Sequence, residues 1–323
     1  MYIWGVMLKF MRKLLILNTF LTLSMLCFVA SAQDSTAFAG YDEGFCYDTL
    51  ALQVHLDRVN ISCNCVDGVW GSKTATALIT WQMLNGMEPT GVPTEAALEQ
   101  LGGVSNVLTR YTITEKDLKS IAPIPTTWEG KSKMNTLGYE SIQEMVAEKG
   151  HTSMKAIERL NSDLTWPNPP AGSLVVLPAC EVVKLRREAA SIRIALGRRE
   201  VTVFNHYGKL IALFPCSIAR SRSLRPTGEI YVKNVAPNPN YLYDPQLFKP
   251  GCPETAKFSI PPGPNNPVGL AWIGLSLKGY GMHGTPAPER IGEAASHGCF
   301  RLSNWNALKL IQLIEIGTPV VVE

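Results

Sequence analysis

Apolar residues recur at helical spacing through the first third of the chain. Leu52, Val54 or His55, Leu56 and Val59 mark one helix, and Thr74 to Gln82 set Ala77, Leu78 and Trp81 on one face of a second. Asp67-Gly68 and Gly71 form the turn between them. A third, short helix is predicted from Thr94, placed as its cap, to Leu101, after a turn at Thr90-Gly91. Residues 42–103 therefore read as a small three-helix domain.

From residue 108 to 180 the pattern changes. A short strand in YTITEKDL, helices in SIQEMVAEKG and TSMKAIERLN, and a closing strand in AGSLVVLP predict a small α+β module, interrupted by the insertion TTWEGKSKMNTLGY. Alternating runs then dominate. SIRIAL and EVTVF read as strands broken at Gly197, and Asn205 to Gly208 supply a hairpin turn before KLIALFPCSIA. Dense proline and glycine between Arg225 and Pro267 predict long connections. Ser303 is placed to cap a helix bearing Trp305, Leu308, Ile311 and Ile314, which Gly317 stops before a last strand, TPVVVE. Residues 187–323 are thus expected to form a mainly β domain, making the chain multidomain.

A length of 323 residues exceeds what one core usually organises, and 46% apolar with 18% charged residues is ordinary for a globular protein. A formal net charge of +3 with no long basic run argues against a nucleic-acid partner. Met11-Arg12-Lys13, the apolar run to Val29 and Ala30-Ser31-Ala32 predict a secretory signal peptide over 1–32, with an uncleaved anchor as the alternative. No later segment is apolar enough to span a bilayer, so export to the periplasm or cell wall, with no transmembrane span in the mature chain, is expected. Disulfides are permitted there. Of eight cysteines, Cys27 lies in the leader, which leaves an odd number. Cys46 with Cys63 or Cys65, and Cys216 with Cys252, are pairing options, and Cys299 is expected to stay unpaired.

The chemistry concentrates in HGTPAPERIGEAASHGCFRL, His283 to Leu302. Gly298 before Cys299 lets two successive amides converge on one oxygen, the arrangement of an oxyanion hole. A thiol attacks as its thiolate and needs a basic neighbour, for which His283 is the best placed in sequence. Arg301, two residues past the thiol in a strand-like register, shares its face and is placed to hold a substrate carboxylate or to brace the loop. His297 reads either as a second catalytic group or as a loop brace. Glu289, Glu293 or a main-chain carbonyl are equal options for orienting His283. A zinc site from His283, His297 and Cys299 is the rival reading, but it lacks an H-E-x-x-H pattern and the usual ligand spacing. No metal and no cofactor are expected.

The pattern H-G-T at His283, Gly284 and Thr285, then S-H-G-C-x-R at Ser296, His297, Gly298, Cys299 and Arg301, resembles the active-site signature of the L,D-transpeptidases, YkuD type. Arg225 to Gly228, Asn266 to Gly269 and Trp272-Ile273 resemble its upstream motifs. Leu52-Gln53, Val66 to Gly71, Thr74, Ala77 and Gln82 resemble a peptidoglycan-binding-like domain. Ala156 to Asn161 with Ala171 to Pro178 resemble a LysM unit. The resemblance implies a β-sandwich-like catalytic domain in which Cys299, His283, Gly298 and His297 are catalytic. It places Arg301, Ser296, Gly284 and Thr285 on the substrate. It implies a thioester formed on a peptidoglycan tetrapeptide stem with loss of D-Ala, acylation by carbapenems, and three acceptors: a second stem amine giving a 3-3 cross-link, water, or an envelope lipoprotein lysine. The alternatives are a non-catalytic peptidoglycan-binding protein and a zinc-dependent cell-wall hydrolase.

Overall fold

The computed structural model describes residues 37, 39–180, 184–248, 255–296 and 298–323, side chains 247, 248 and 295 excepted. The expected signal peptide, Cys27, Cys252 and His297 lie outside the described residues.

The N-terminal unit is three helices, α1 (Tyr47–Arg58), α2 (Ser72–Leu84) and α3 (Glu95–Leu101). Thr94 caps α3 by accepting from the Ala97 N–H. The turn between α1 and α2 is held by one buried amide. Gln53 Oε1 accepts from the Asp67 and Gly68 N–H groups, and its Nε2 donates to Thr74 Oγ1 at 3.0 Å. The periodicity of α1 predicts one buried face, yet every residue from Thr49 to Asp57 is buried. Neighbouring units cover what would be its solvent side.

The second unit pairs β1 (Leu108–Thr112) antiparallel with β2 (Leu174–Pro178). Between them run α4 (Glu115–Ser120), α5 (Trp128–Ser132), α6 (Ile142–Lys149) and α7 (Met154–Leu160). Thr114 and Asp117 make a capping box on α4, and Ser141 and Ser153 cap α6 and α7. Helices α6 and α7 pack on β2 around Ile142, Val146, Ile157 and Val175. The insertion carries α5 and leaves this unit to reach the C-terminal domain.

The C-terminal domain is mainly β. Its strands are β3 (Ala189–Ala195), β4 (Glu200–Asn205), β5 (Leu210–Pro215), β6 (Ile218–Ala219), β7 (Gly228–Pro237), β8 (Tyr241–Tyr243), β9 (Phe258–Ile260), β10 (Ala271–Leu275), β11 (Gly281–His283), β12 (Ala294–Ser296), β13 (Phe300–Arg301) and β14 (Pro319–Val322). A short α8 (Pro245–Phe248) follows β8, and α9 (Asn304–Leu313) precedes β14. Eight strands form one mixed sheet in the order β13-β11-β10-β7-β14-β3-β4-β5, while β12 pairs with β6 and β8 with β9. Leu310 and Leu313 of α9 join Ile273, Met282 and Phe300 in its core. Ser303 stands at the head of α9, but its hydroxyl makes no capping bond.

A buried charge cluster ties the three units together. Lys309 of α9 donates to Asp57 Oδ2 at 2.8 Å, and His151, after α6, meets the same oxygen through Nδ1 at 2.9 Å. Burial pushes the Asp57 carboxyl up, but His151 and Lys309 outweigh it and hold the group well below its usual range. Trp305 stacks on the His151 ring at 5.4 Å. Cys46, Cys63 and Cys65 are free thiols, so the pairing option among them is not realised, and Cys216 is free as well.

Candidate functional site

Strands β11 and β13 run side by side in parallel, with Met282 opposite Phe300 and His283 opposite Arg301. Side chains alternate along a strand, so Gly281, His283 and Arg301 share a face, while Cys299 stands in the bend just before β13, where the Gly281 N–H meets its sulfur. The sulfur therefore sits beside a residue without a side chain, within reach of the Arg301 charge. The register sets His283, the expected base, opposite Arg301, the expected cation.

The imidazole is fixed from both sides. Nδ1 lies 2.7 Å from the Gly284 carbonyl oxygen, which makes it the protonated nitrogen and leaves Nε2 as the acceptor. Trp272, the cross-strand neighbour on β10, stacks on the ring at 5.8 Å. The carbonyl, one of the open options for an orienter, fills that place. Burial holds the His283 pKa down at about 4, with nearby Arg301 adding to the effect against the Gly284 hydrogen bond. Burial also raises the Cys299 thiol, partly offset by the Gly281 N–H and the Arg301 charge. The resting pair is accordingly neutral thiol and neutral imidazole. Arg301 is half-buried, and its guanidinium makes no ion pair among the described residues.

Other signature residues hold the loop. Ser296 donates to the Cys299 carbonyl at 2.6 Å and accepts from the Gly298 N–H at 3.3 Å. Gly298 has a φ of 154°, a backbone conformation that favours glycine. Thr285 is buried and accepts from the Ala287 N–H. A Cβ on Gly284 or Gly269 would strike Asn304 Oδ1, which accepts from the Leu270 N–H at the head of α9. In the structure the polar atoms of Ser296 and Thr285 are engaged within the loop.

One side of the site was not named from the sequence. Tyr241, on the β8–β9 hairpin, lies close enough to Cys299 that the sulfur adds to the burial that pushes its phenol up to about 12. Tyr243, two residues on, stacks on Trp128 of α5 at 4.2 Å. The base of this hairpin is pinned by buried Asn266, which donates to Pro261 O at 2.8 Å and accepts from the Val268 N–H. Leu137, also in the insertion, donates to Pro262 O and accepts from the Asn265 N–H. The insertion that departs from a compact LysM pattern is thus a buttress for the hairpin beside the cysteine. The only available sequence signal was the local excess of aromatics in TTWEGK and NYLYD.

A partly buried thiol, an oriented neutral imidazole and a guanidinium without an ion pair among the described residues lie together near one edge of a mixed β sheet. Residues 189–322 match the family described as L,D-transpeptidase catalytic domain, YkuD, and residues 48–101 match "Putative peptidoglycan binding domain". The chain carries an L,D-transpeptidase catalytic domain together with a peptidoglycan-binding domain. It is similar to "Putative L,D-transpeptidase YkuD" of Bacillus licheniformis, 26% identical over 55% of this chain and 90% of that protein. It is also similar to "Putative L,D-transpeptidase YqjB" of Bacillus subtilis, 33% identical over 35% of this chain and 60% of that protein. Among solved structures, an L,D-transpeptidase from Mycobacterium smegmatis is 17% identical, covering 53% of this chain and 86% of that one at a TM-score of 0.34. No helix among the described residues is long and apolar enough to cross a membrane.

Proposed function

We propose that the protein is an exported cysteine L,D-transpeptidase acting on peptidoglycan tetrapeptide stems. The observation that supports this reading is the parallel register of β11 and β13, which sets His283 opposite Arg301, with Cys299 just before β13 and its sulfur on the Gly281 N–H. Nε2 of His283 takes the thiol proton as the sulfur attacks the carbonyl of the third stem residue, and main-chain amides at Gly298 and Cys299 steady the oxyanion. The C–N bond to the terminal D-Ala breaks, the imidazolium returns its proton to the leaving amine, and a thioester remains. Arg301 receives a substrate carboxylate. A second stem amine resolves the thioester into a 3-3 cross-link; water would trim instead, and a lipoprotein lysine would be anchored. The N-terminal helices and the LysM-like unit hold the enzyme on glycan.

Intact-protein mass spectrometry after incubation with a carbapenem, alongside product analysis of tetrapeptide stems, tests this reading. A single adduct on Cys299, its absence in Cys299→Ala, and turnover that survives EDTA are expected. Wild-type turnover by folded Cys299→Ala would refute the nucleophile, and loss of turnover in EDTA would favour a zinc hydrolase.

A further inference from the structure

Helix α6 belongs to the second unit, yet two acidic side chains one turn apart on it, Glu144 and Glu148, reach the catalytic domain. Glu144 Oε1 accepts from Asn265 Nδ2 at 2.6 Å, in the loop between β9 and β10. The Glu148 carboxyl takes a hydrogen bond from the side-chain amide of Asn304, the first residue of α9. Burial pushes this carboxyl up to about 8, the Glu144 charge adds to the effect, and the Asn304 bond opposes it. At neutral pH the group is accordingly mostly protonated. Its Oε1 is buried with no partner of its own. Burying a carboxyl so incompletely satisfied costs stability, and an apolar side chain would fill the place without that cost.

Asn304 is fully buried, and its other bonds lie inside the catalytic domain. Nδ2 donates to Pro264 O at 3.1 Å, and Oδ1 accepts from the Leu270 N–H at 3.1 Å. An amide nitrogen carries two hydrogens, so Nδ2 can serve both Pro264 and Glu148. Oδ1 occupies the space that a Cβ on Gly284 would need, which sets the Asn304 side chain against the residue whose carbonyl holds Nδ1 of His283 at 2.7 Å. The path from α6 to the imidazole is thus continuous: Glu148, Asn304, Gly284, His283. We propose that Glu148 is a positioning residue for His283: by taking the second N–H of Asn304 it fixes that amide, and through it the Gly284 carbonyl that keeps the proton on Nδ1 and leaves Nε2 free to accept. The inference rests on the transpeptidase reading above and makes the second unit part of the catalytic apparatus. A base whose ring is held by such a chain needs no reorganisation when the thiol gives up its proton.

The test compares Glu148→Leu with Glu148→Gln in the full chain. Leucine fills the volume and removes the acceptor, whereas glutamine keeps a neutral carbonyl for the Asn304 amide. Melting temperature, carbapenem acylation of Cys299 and the imidazole nitrogen NMR shifts of His283, assigned against His283→Asn, are measured on each. Glu148→Leu should melt no lower than the parent. Its acylation at saturating carbapenem should slow by about tenfold to a hundredfold with half-saturation unchanged, and the His283 proton should divide between Nδ1 and Nε2. Glu148→Gln should restore the rate to within about twofold of the parent, together with the Nδ1–H form. A parental rate and tautomer in Glu148→Leu would overturn the inference, as would equal losses in both variants that track a lower melting temperature. A parent that the carbapenem does not acylate would overturn the underlying reading instead, while the tautomer, read without turnover, would still decide the positioning.

Discussion

At the residue scale the neutral pair sets the pH behaviour. With the Cys299 pKa raised, less thiolate is present near pH 7 than for an ordinary thiol, so Cys299 alkylation should climb steadily with pH and show no plateau around neutrality. The His283 imidazole, held at about 4, stays unprotonated far into the acid range. Its stability consequence has a definite sign. The unfolded chain takes up a proton at the ordinary imidazole value of 6.5 while the folded one resists until about 4, so stability is full above 6.5 and declines as pH falls through that window. Urea midpoints measured from pH 7 to 4 should drop more steeply for the parent than for His283→Asn. On turnover, His283→Ala should cost about 100-fold to 10,000-fold, as loss of a general base does. The signature residues were legible because their spacing is chemical: a glycine must stand where backbones nearly touch, and His283 and Arg301 fall opposite each other on paired strands. The carbonyl that orients His283 was not, since any backbone offers one.

At the element scale, the β8–β9 hairpin depends on a helix from another unit. Trp128→Ala removes the ring under Tyr243; such a stack is worth about 0.5–1.5 kcal/mol beyond area. Carbapenem acylation of Cys299 should slow by up to about tenfold while circular dichroism stays unchanged, and an unaltered rate would show that the buttress does not position the hairpin. The three N-terminal helices followed from periodicity and turn residues, and Thr94 caps where expected. Hidden from a single-chain pattern were the burial of α1 on all sides and the strand order, both products of contacts distant in sequence. The region from Arg225 to Pro267, read as open connection, contains the long strand β7 and the hairpin itself. Its described prolines sit at strand ends or in the links between strands, where a missing N–H breaks no ladder bond.

At the scale of the whole molecule, Asp57, His151 and Lys309 join three units through one carboxylate. Lys309→Met leaves a buried charge without its cation and should cost about 3–5 kcal/mol, read as a lower denaturant midpoint. Exchanging Lys309 and Asp57 together for apolar residues of similar volume should recover much of that loss. The C-terminal domain expressed alone would uncover Leu213, which exchanges two backbone hydrogen bonds with Asn60 and Ser62, and should melt below the full chain. None of this was readable from the sequence, because a lone lysine on an otherwise apolar helix announces no partner.

Locking the units in this way changes what anchoring can do. A tethered catalytic head samples a sphere set by its linker, and longer linkers dilute it only slowly. Under the proposed function, an enzyme whose footing and catalytic edge are joined in this way addresses only stems at a fixed offset from the strand it grips. It must let go before it can work elsewhere, so the rate of detachment would govern how many bonds are made per visit.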